Sequence, residues 1–348
     1  DGDYLVTVEP GTTITFGEDA DFILRTSARL NAVGTEDDPI VFTGADDTPS
    51  FWGGVKYIST QGSENRLEWV TIENGGRPSG DSGAANAGLD LNDWGGPVQI
   101  AINNTTITGA EGYGIRLGDN VEITEFTGNT ITGNGSPARA TKLSAQYLDD
   151  ASDLTGNDED IIDLEGGELI AESTWPAISG TEYFVISEVT ISGQDDREGA
   201  LTIEPGVTAR FEENTHLLAA RAGTLTAEGT ADAPIVLAGN EAIGGYWGGV
   251  GFITTQSTSN VLSHVTVSDA GGQGFGGWSG FTEPAAISLN NWGRPVVVTI
   301  NDVPVSNSNT NGIYVRENAA DITIDGCSNL AFEQVGGSNF IPVEADCS

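Results

Sequence analysis

A long stretch of this chain is written twice, and that duplication limits the folds open to it more than any other feature. Residues 6–72 carry, in order, Val-Thr-Val-Glu-Pro-Gly, Asp-Pro-Ile-Val-Phe, Phe-Trp-Gly-Gly-Val and Glu-Trp-Val-Thr-Ile. Residues 201–267 carry Leu-Thr-Ile-Glu-Pro-Gly, Ala-Pro-Ile-Val-Leu, Tyr-Trp-Gly-Gly-Val and Ser-His-Val-Thr-Val. The offset is 195 residues throughout, from Pro10 and Pro205 to Val70 and Val265. It widens to 198 after Trp247, so that Trp94 matches Trp292. An internal repeat of this kind points to stacked structural units.

The units are made of short strands. Leu5-Val6-Thr7-Val8, Thr13-Ile14-Thr15-Phe16 and Pro39-Ile40-Val41-Phe42 are apolar, β-branched and alternating, with turn residues such as Pro10-Gly11 between them. No stretch of eleven or more residues shows the 3.6 period of a helix. A shorter repeat lies inside the long one: Asn104-Thr105-Thr106-Ile107-Thr108-Gly109 recurs as Asn129-Thr130-Ile131-Thr132-Gly133, the Ile-Thr-Gly cores 24 residues apart. A period near 24 suits one coil of a β-solenoid, with three strands and three turns. Strands this short bury little alone, but stacked coils set Ile on Ile and Val on Val in one core. The 48 glycines, without a collagen period, are assigned to the turns.

The expected fold is therefore all-β: a single-stranded right-handed parallel β-helix with two long internal repeats, about fourteen or fifteen coils of about 24 residues each. The expected layout is one continuous β-helix over 1–348, with repeat 1 over about 1–198 and an incomplete repeat 2 over about 199–348.

The succession Thr174-Trp175-Pro176, Tyr183-Phe184-Val185-Ile186, Leu201-Thr202-Ile203-Glu204-Pro205-Gly206-Val207, Ala233-Pro234-Ile235-Val236 and Tyr246-Trp247-Gly248-Gly249-Val250 resembles the right-handed parallel β-helix repeat proteins of bacterial and archaeal surfaces and secretions. The resemblance covers nearly the whole chain. It implies that fold and an extracellular or cell-surface home, secreted or lipid-anchored. It implies little about activity, because one fold hosts many functions.

Charge narrows the partners. The chain has 51 acidic and 13 basic residues, a net charge of -38. Such a field repels nucleic acid and anionic membranes, and no apolar run is long enough to span a bilayer. An acidic shell with only two lysines, Lys56 and Lys142, fits a salt-adapted source or a base-composition bias. A chain that starts at Asp1 and contains no Met is expected to have lost a signal peptide or to come from a longer protein. Cys327 and Cys347 are the disulfide candidate for such a compartment.

The residues that could carry chemistry are few. Five tryptophans are the candidate ligand-binding residues: Trp52, Trp94, Trp247, Trp278 and Trp292. An indole beside glycine can stack on a sugar ring, or it can cap a core while the glycine makes room for it. No catalytic residue is assigned. Asp90 with Asp93 has the spacing of a hydrolase carboxylate pair, and Arg116 and Lys56 are the bases a lyase would use, yet none recurs in register in the second repeat. His216 and His264 have no nucleophile partner in sequence. Calcium is the one cofactor the residues suit, and Asp158, Glu159 and Asp160 are its candidate ligands in the densest acidic stretch. The expected function is a non-catalytic structural, adhesive or carbohydrate-binding role. A polysaccharide lyase or glycoside hydrolase is the alternative, and a subunit that stacks end to end on another copy of itself is a third. The expected partners are polysaccharide or a second copy.

Overall fold

The computed structural model describes residues 4–78, 86–194, 197–272, 275, 284–291, 294–316, 322–325 and 328–341. Among these residues the protein is all-β. Its strands are short, its long sheets are parallel, and a four-residue 3-10 turn at Ser144–Tyr147 is the one helical element. The chain divides into two compact units, residues 1–163 with 178–181, and residues 164–177 with 182–348.

In the first unit, successive strands go to three sheets in strict rotation. Tyr4–Val8, Ala28–Val33, Arg66–Glu68, Val98–Asn103 and Val121–Thr127 form one sheet. Thr13–Phe16, Ile40–Gly44, Val70–Glu73, Thr106–Thr108 and Thr130–Ile131 form the second. Phe22–Arg25, Val55–Ile58, Ala87–Asn92, Tyr113–Leu117 and Ser136–Thr141 pair in that order in the third. The second unit rotates in the same way, for example from Leu217–Ala220 to Thr224–Glu228 to Ile235–Gly239 and on to Val250–Ile253.

This arrangement follows from the alternation. Alternate side chains of a strand point to opposite faces, so every second residue enters the core. Parallel in-register pairing then stacks like on like. Ile14, Phe42, Ile72, Ile107 and Ile131 form one continuous ladder. Ile107 and Ile131, the centres of the 24-residue repeat, are direct partners in it. Leu30, Ile40, Phe42, Leu67 and Ile72 are all fully buried. At about 25 cal/mol per Å² of apolar area, each such side chain contributes about 1.5–3 kcal/mol.

The corners are held by polar groups turned inward. Asn65 is buried, accepts from the Leu30 amide at 3.1 Å, and donates to Thr60 Oγ1 and to the Gln99 carbonyl, both at 2.9 Å. Asn260, 195 residues on, accepts from the Leu225 amide at 3.0 Å and donates to Thr255 Oγ1 at 2.9 Å and the Val297 carbonyl at 3.1 Å. A buried amide costs free energy unless its groups are paired, and here the pairing knits three successive turns.

Candidate functional site

The Trp-Gly-Gly triplets sit at turns, and their surroundings differ. Trp52 is fully buried. Its ring stacks on Phe16 with centroids 4.1 Å apart and planes within 3°, and its Nε1 donates to the Glu73 carbonyl at 2.7 Å. Trp247 is also fully buried, stacked on Phe211 at 4.2 Å, with Nε1 donating to the Ser268 carbonyl at 2.7 Å. The second glycine turns the chain sharply. Gly54 and Gly249 have φ of +85° and +101°, and a Cβ on either would meet a neighbouring carbonyl at 2.6 Å or 2.3 Å. These two indoles cap the core, and no sugar can reach them. The ligand-binding expectation for Trp52 and Trp247 is corrected on this ground. Trp278 and Trp292 lie outside the described residues, as do Cys327 and Cys347.

Trp94 has the opposite setting. It follows the strand Ala87–Asn92, and its backbone is fixed on both sides. Asn92 Oδ1 accepts its amide at 2.9 Å, and Ser59 Oγ donates to its carbonyl at 2.5 Å. The side chain is 69% exposed, the most open large apolar residue of the chain among those described. It borders a groove of about 600 Å³, also lined by Arg25, Arg29, Ser59 and Gln61. Among the described lining residues there is no carboxylate. Arg29 is oriented by Glu64 at 3.0 Å.

The groove is built by three stacked turns. Thr26 and Ser59 both adopt the left-handed backbone, with φ of 55° and 54°. The Thr26 amide donates to the Ile58 carbonyl at 3.1 Å, and the Ser59 amide to the Asn92 carbonyl at 3.1 Å. An exposed aromatic face, hydroxyl and amide side chains beside it, and guanidinium donors together suit a polar ring with an apolar face.

The residues weighed for catalysis are held elsewhere. Asp90 is fully buried and faces Arg116 Nη1 at 3.2 Å, its in-register neighbour on the next strand. Asp93 accepts from the Asn120 amide at 2.9 Å. The two carboxylates therefore serve different parts of the scaffold and do not flank a common groove. Lys56 is fully buried, with Nζ 2.5 Å from Asp21. His216 is buried with its ring 5.2 Å from Phe275, and that burial lowers its pKa against the pull of Glu188. His264 Nε2 lies 3.9 Å from Asp302, with Ser263 Oγ 3.2 Å from Nδ1.

The three candidate calcium ligands of the acidic run have different settings. Asp160 accepts from the Asn157 amide at 2.9 Å, closing a local turn, while Asp158 and Glu159 are exposed. Among the described residues no three His, Cys, Asp or Glu side chains gather closely enough to hold a metal ion. Among the described residues no helix is long and apolar enough to cross a membrane.

Sequence reasoning missed Arg25, Arg29, Ser59 and Gln61. One signal was available: basic residues are scarce here, and two of the 13 stand four apart across a Thr-Ser turn. Compared with known proteins, the sequence matches no family model and no curated protein.

Proposed function

We propose that this chain is a right-handed parallel β-helix built from two copies of one repeat, and that it serves as a non-catalytic, extracellular or cell-surface carbohydrate-binding protein. The rotation of successive strands among three parallel sheets supports the β-helix. The 195-residue recurrence of the Phe-Trp stacks and the buried asparagines supports the two copies. The observation that carries the function is Trp94, held open over a groove whose described lining residues include no carboxylate. A hydrolase needs two carboxylates at the scissile bond, and the described residues of that groove supply none.

The test is a glycan array read alongside reducing-end and unsaturated-product assays on the same preparations. Binding without product, lost in Trp94→Ala, is expected. Product release from any polysaccharide sinks the reading, and so does glycan binding that Trp94→Ala leaves unchanged.

A second reading, end-to-end stacking of copies, has one observation in its favour. The strand Tyr4–Val8 presents Tyr4, Leu5 and Val6 to solvent at 67%, 51% and 42%. Unpaired strand edges invite such pairing. Sedimentation at rising protein concentration checks it, and a species that stays monomeric throughout rules it out.

A further inference from the structure

The second unit carries a groove at the matching turns. It measures about 340 Å³ and is lined by Glu198, Arg221, Thr224, Thr254, Gln256 and Arg294, among others. By the 195-residue offset, Arg221 matches Thr26, Thr224 matches Arg29, Thr254 matches Ser59 and Gln256 matches Gln61. By the 198-residue offset, Arg294 matches Gly96. The backbone is the same at both places. Arg221 and Thr254 have left-handed φ of 58° and 52°. The Arg221 amide donates to the Ile253 carbonyl at 2.9 Å, and the Thr254 amide to the Asn290 carbonyl at 3.0 Å, reproducing the bonds of Thr26 and Ser59.

The arginines in the two grooves occupy different positions. Arg25 and Arg29 line the first, and Arg221 and Arg294 line the second. Each groove is thus lined by two arginines at positions that the repeat does not relate, and Arg29 among them also pairs with Glu64 at 3.0 Å. Among the described residues, four arginines and one carboxylate, Glu198, line these grooves, in a chain with 13 basic and 51 acidic residues. A generic acidic surface would show the reverse. We infer that both grooves bind anionic saccharide units, and that the chain therefore has two such sites, one in each unit. This rests on the saccharide reading of the Trp94 groove.

The chemistry matches the guanidinium. Arginine presents a planar fork of N–H donors that fits a carboxylate or a sulfate bidentately, and charge-assisted bonds of this kind are the strong ones. Against a net charge of -38, an anionic ligand is repelled at long range, so only a local cluster of cations can hold it. Uronic-acid carboxylates and sugar sulfate esters share this chemistry.

The experiment is isothermal titration of the whole chain with three tetrasaccharides: an oligogalacturonate, a heparin-derived sulfated one, and neutral cellotetraose. The expected result is two sites for at least one charged probe, which identifies the anion, and weaker or no binding of the neutral one. Arg221→Gln with Arg294→Gln should leave one site, and Trp94→Ala should remove the other. Each single arginine change should weaken its own site about ten- to a hundred-fold. Circular dichroism of every variant confirms that the fold is kept. One site for all probes, lost in Trp94→Ala and indifferent to Arg221 and Arg294, overturns the two-site inference and leaves the saccharide reading standing. Neutral and charged probes binding equally overturns the anionic assignment in the same way. Binding indifferent to Trp94, or no binding of any probe, overturns both.

Discussion

Tyr57 is fully buried in the core of the first unit, and its hydroxyl has no hydrogen-bond partner. It lies in the inward ladder between Leu24 and Leu91. The matching position 195 residues on is Phe252, between Ala219 and Leu289 in its own ladder. The same core position is thus filled once with a hydroxyl and once without. Burying an unpaired hydroxyl costs about 1–3 kcal/mol in protein mutational data. Tyr57→Phe removes that group and keeps the ring, so it should stabilise the protein by about 1 kcal/mol. In a unit of this size that is a rise in Tm of about 2–4 °C. Tyr183 is the control. It is also buried, but its hydroxyl donates to the Pro176 carbonyl at 2.8 Å, so Tyr183→Phe should cost about 1 kcal/mol. Urea unfolding followed by circular dichroism reads both, with m unchanged. Alkaline pH gives a second readout. Burial raises the Tyr57 pKa far above its ordinary value of 10.0. A raised folded-state pKa means that the contribution is complete below pH 10 and is lost as pH rises beyond it. Wild type should therefore lose stability above pH 10 more steeply than Tyr57→Phe. If Tyr57→Phe lowers stability by more than about 0.5 kcal/mol, the hydroxyl is satisfied and the reasoning fails.

Three further outcomes follow from the same geometry. Trp52→Ala should cost about 3–5 kcal/mol in thermal or urea unfolding, because it empties a core site and breaks the Phe16 stack, whereas Trp94→Ala should stay within about 0.5 kcal/mol. Asp21→Ala should cost about 3 kcal/mol by the same assay, since Lys56 is fully buried and loses a partner 2.5 Å away. For His216, whose pKa burial holds below the ordinary value of 6.5, the contribution is complete above pH 6.5 and is lost as pH falls; His216→Phe should flatten the acid limb of a Tm-against-pH curve.

The scaffold was legible because it is redundant. A ladder such as Ile14, Phe42, Ile72, Ile107 and Ile131 writes the same instruction five times, and one β-branched residue per turn of the pattern is enough to see it. The site was not legible, and the two Trp-Gly-Gly triplets of the first unit show why. Trp52-Gly53-Gly54 and Trp94-Gly95-Gly96 are the same local sequence, yet one indole is sealed and the other is 69% exposed. The difference lies in distant residues. Phe16 and the carbonyl of Glu73 reach Trp52 from adjacent strands, while Trp94 faces Arg25 and Arg29 across open space. Parallel in-register pairing joins strands that are distant in the chain, so a groove is composed across strands while its motif is read along one.

The same logic accounts for the charges buried in the first unit. On one sheet, Lys56 and Asp90 are in-register neighbours, Asp90 and Arg116 the next pair, and Asp21 closes the set at Lys56. The matching positions in the second unit are His216 for Asp21, Gly251 for Lys56, Ser288 for Asp90 and Tyr314 for Arg116. There Phe275 packs with Leu218, Ala220 and Ile253, and a Cβ on Gly251 would meet its ring at 2.5 Å. One backbone therefore accepts either an ion-paired face or an aromatic one. Buried pairs and well-packed apolar groups of similar volume can be close in free energy, so neither choice is forced by stability. The two faces can diverge because neither is built around a lone charge, and the second instead leaves the neutral His216 Nε2 and Ser288 Oγ buried without a hydrogen-bond partner. The grooves diverge less: Gln61 matches Gln256 and the hydroxyl of Ser59 matches that of Thr254, while the two arginines that line each groove stand at unmatched positions.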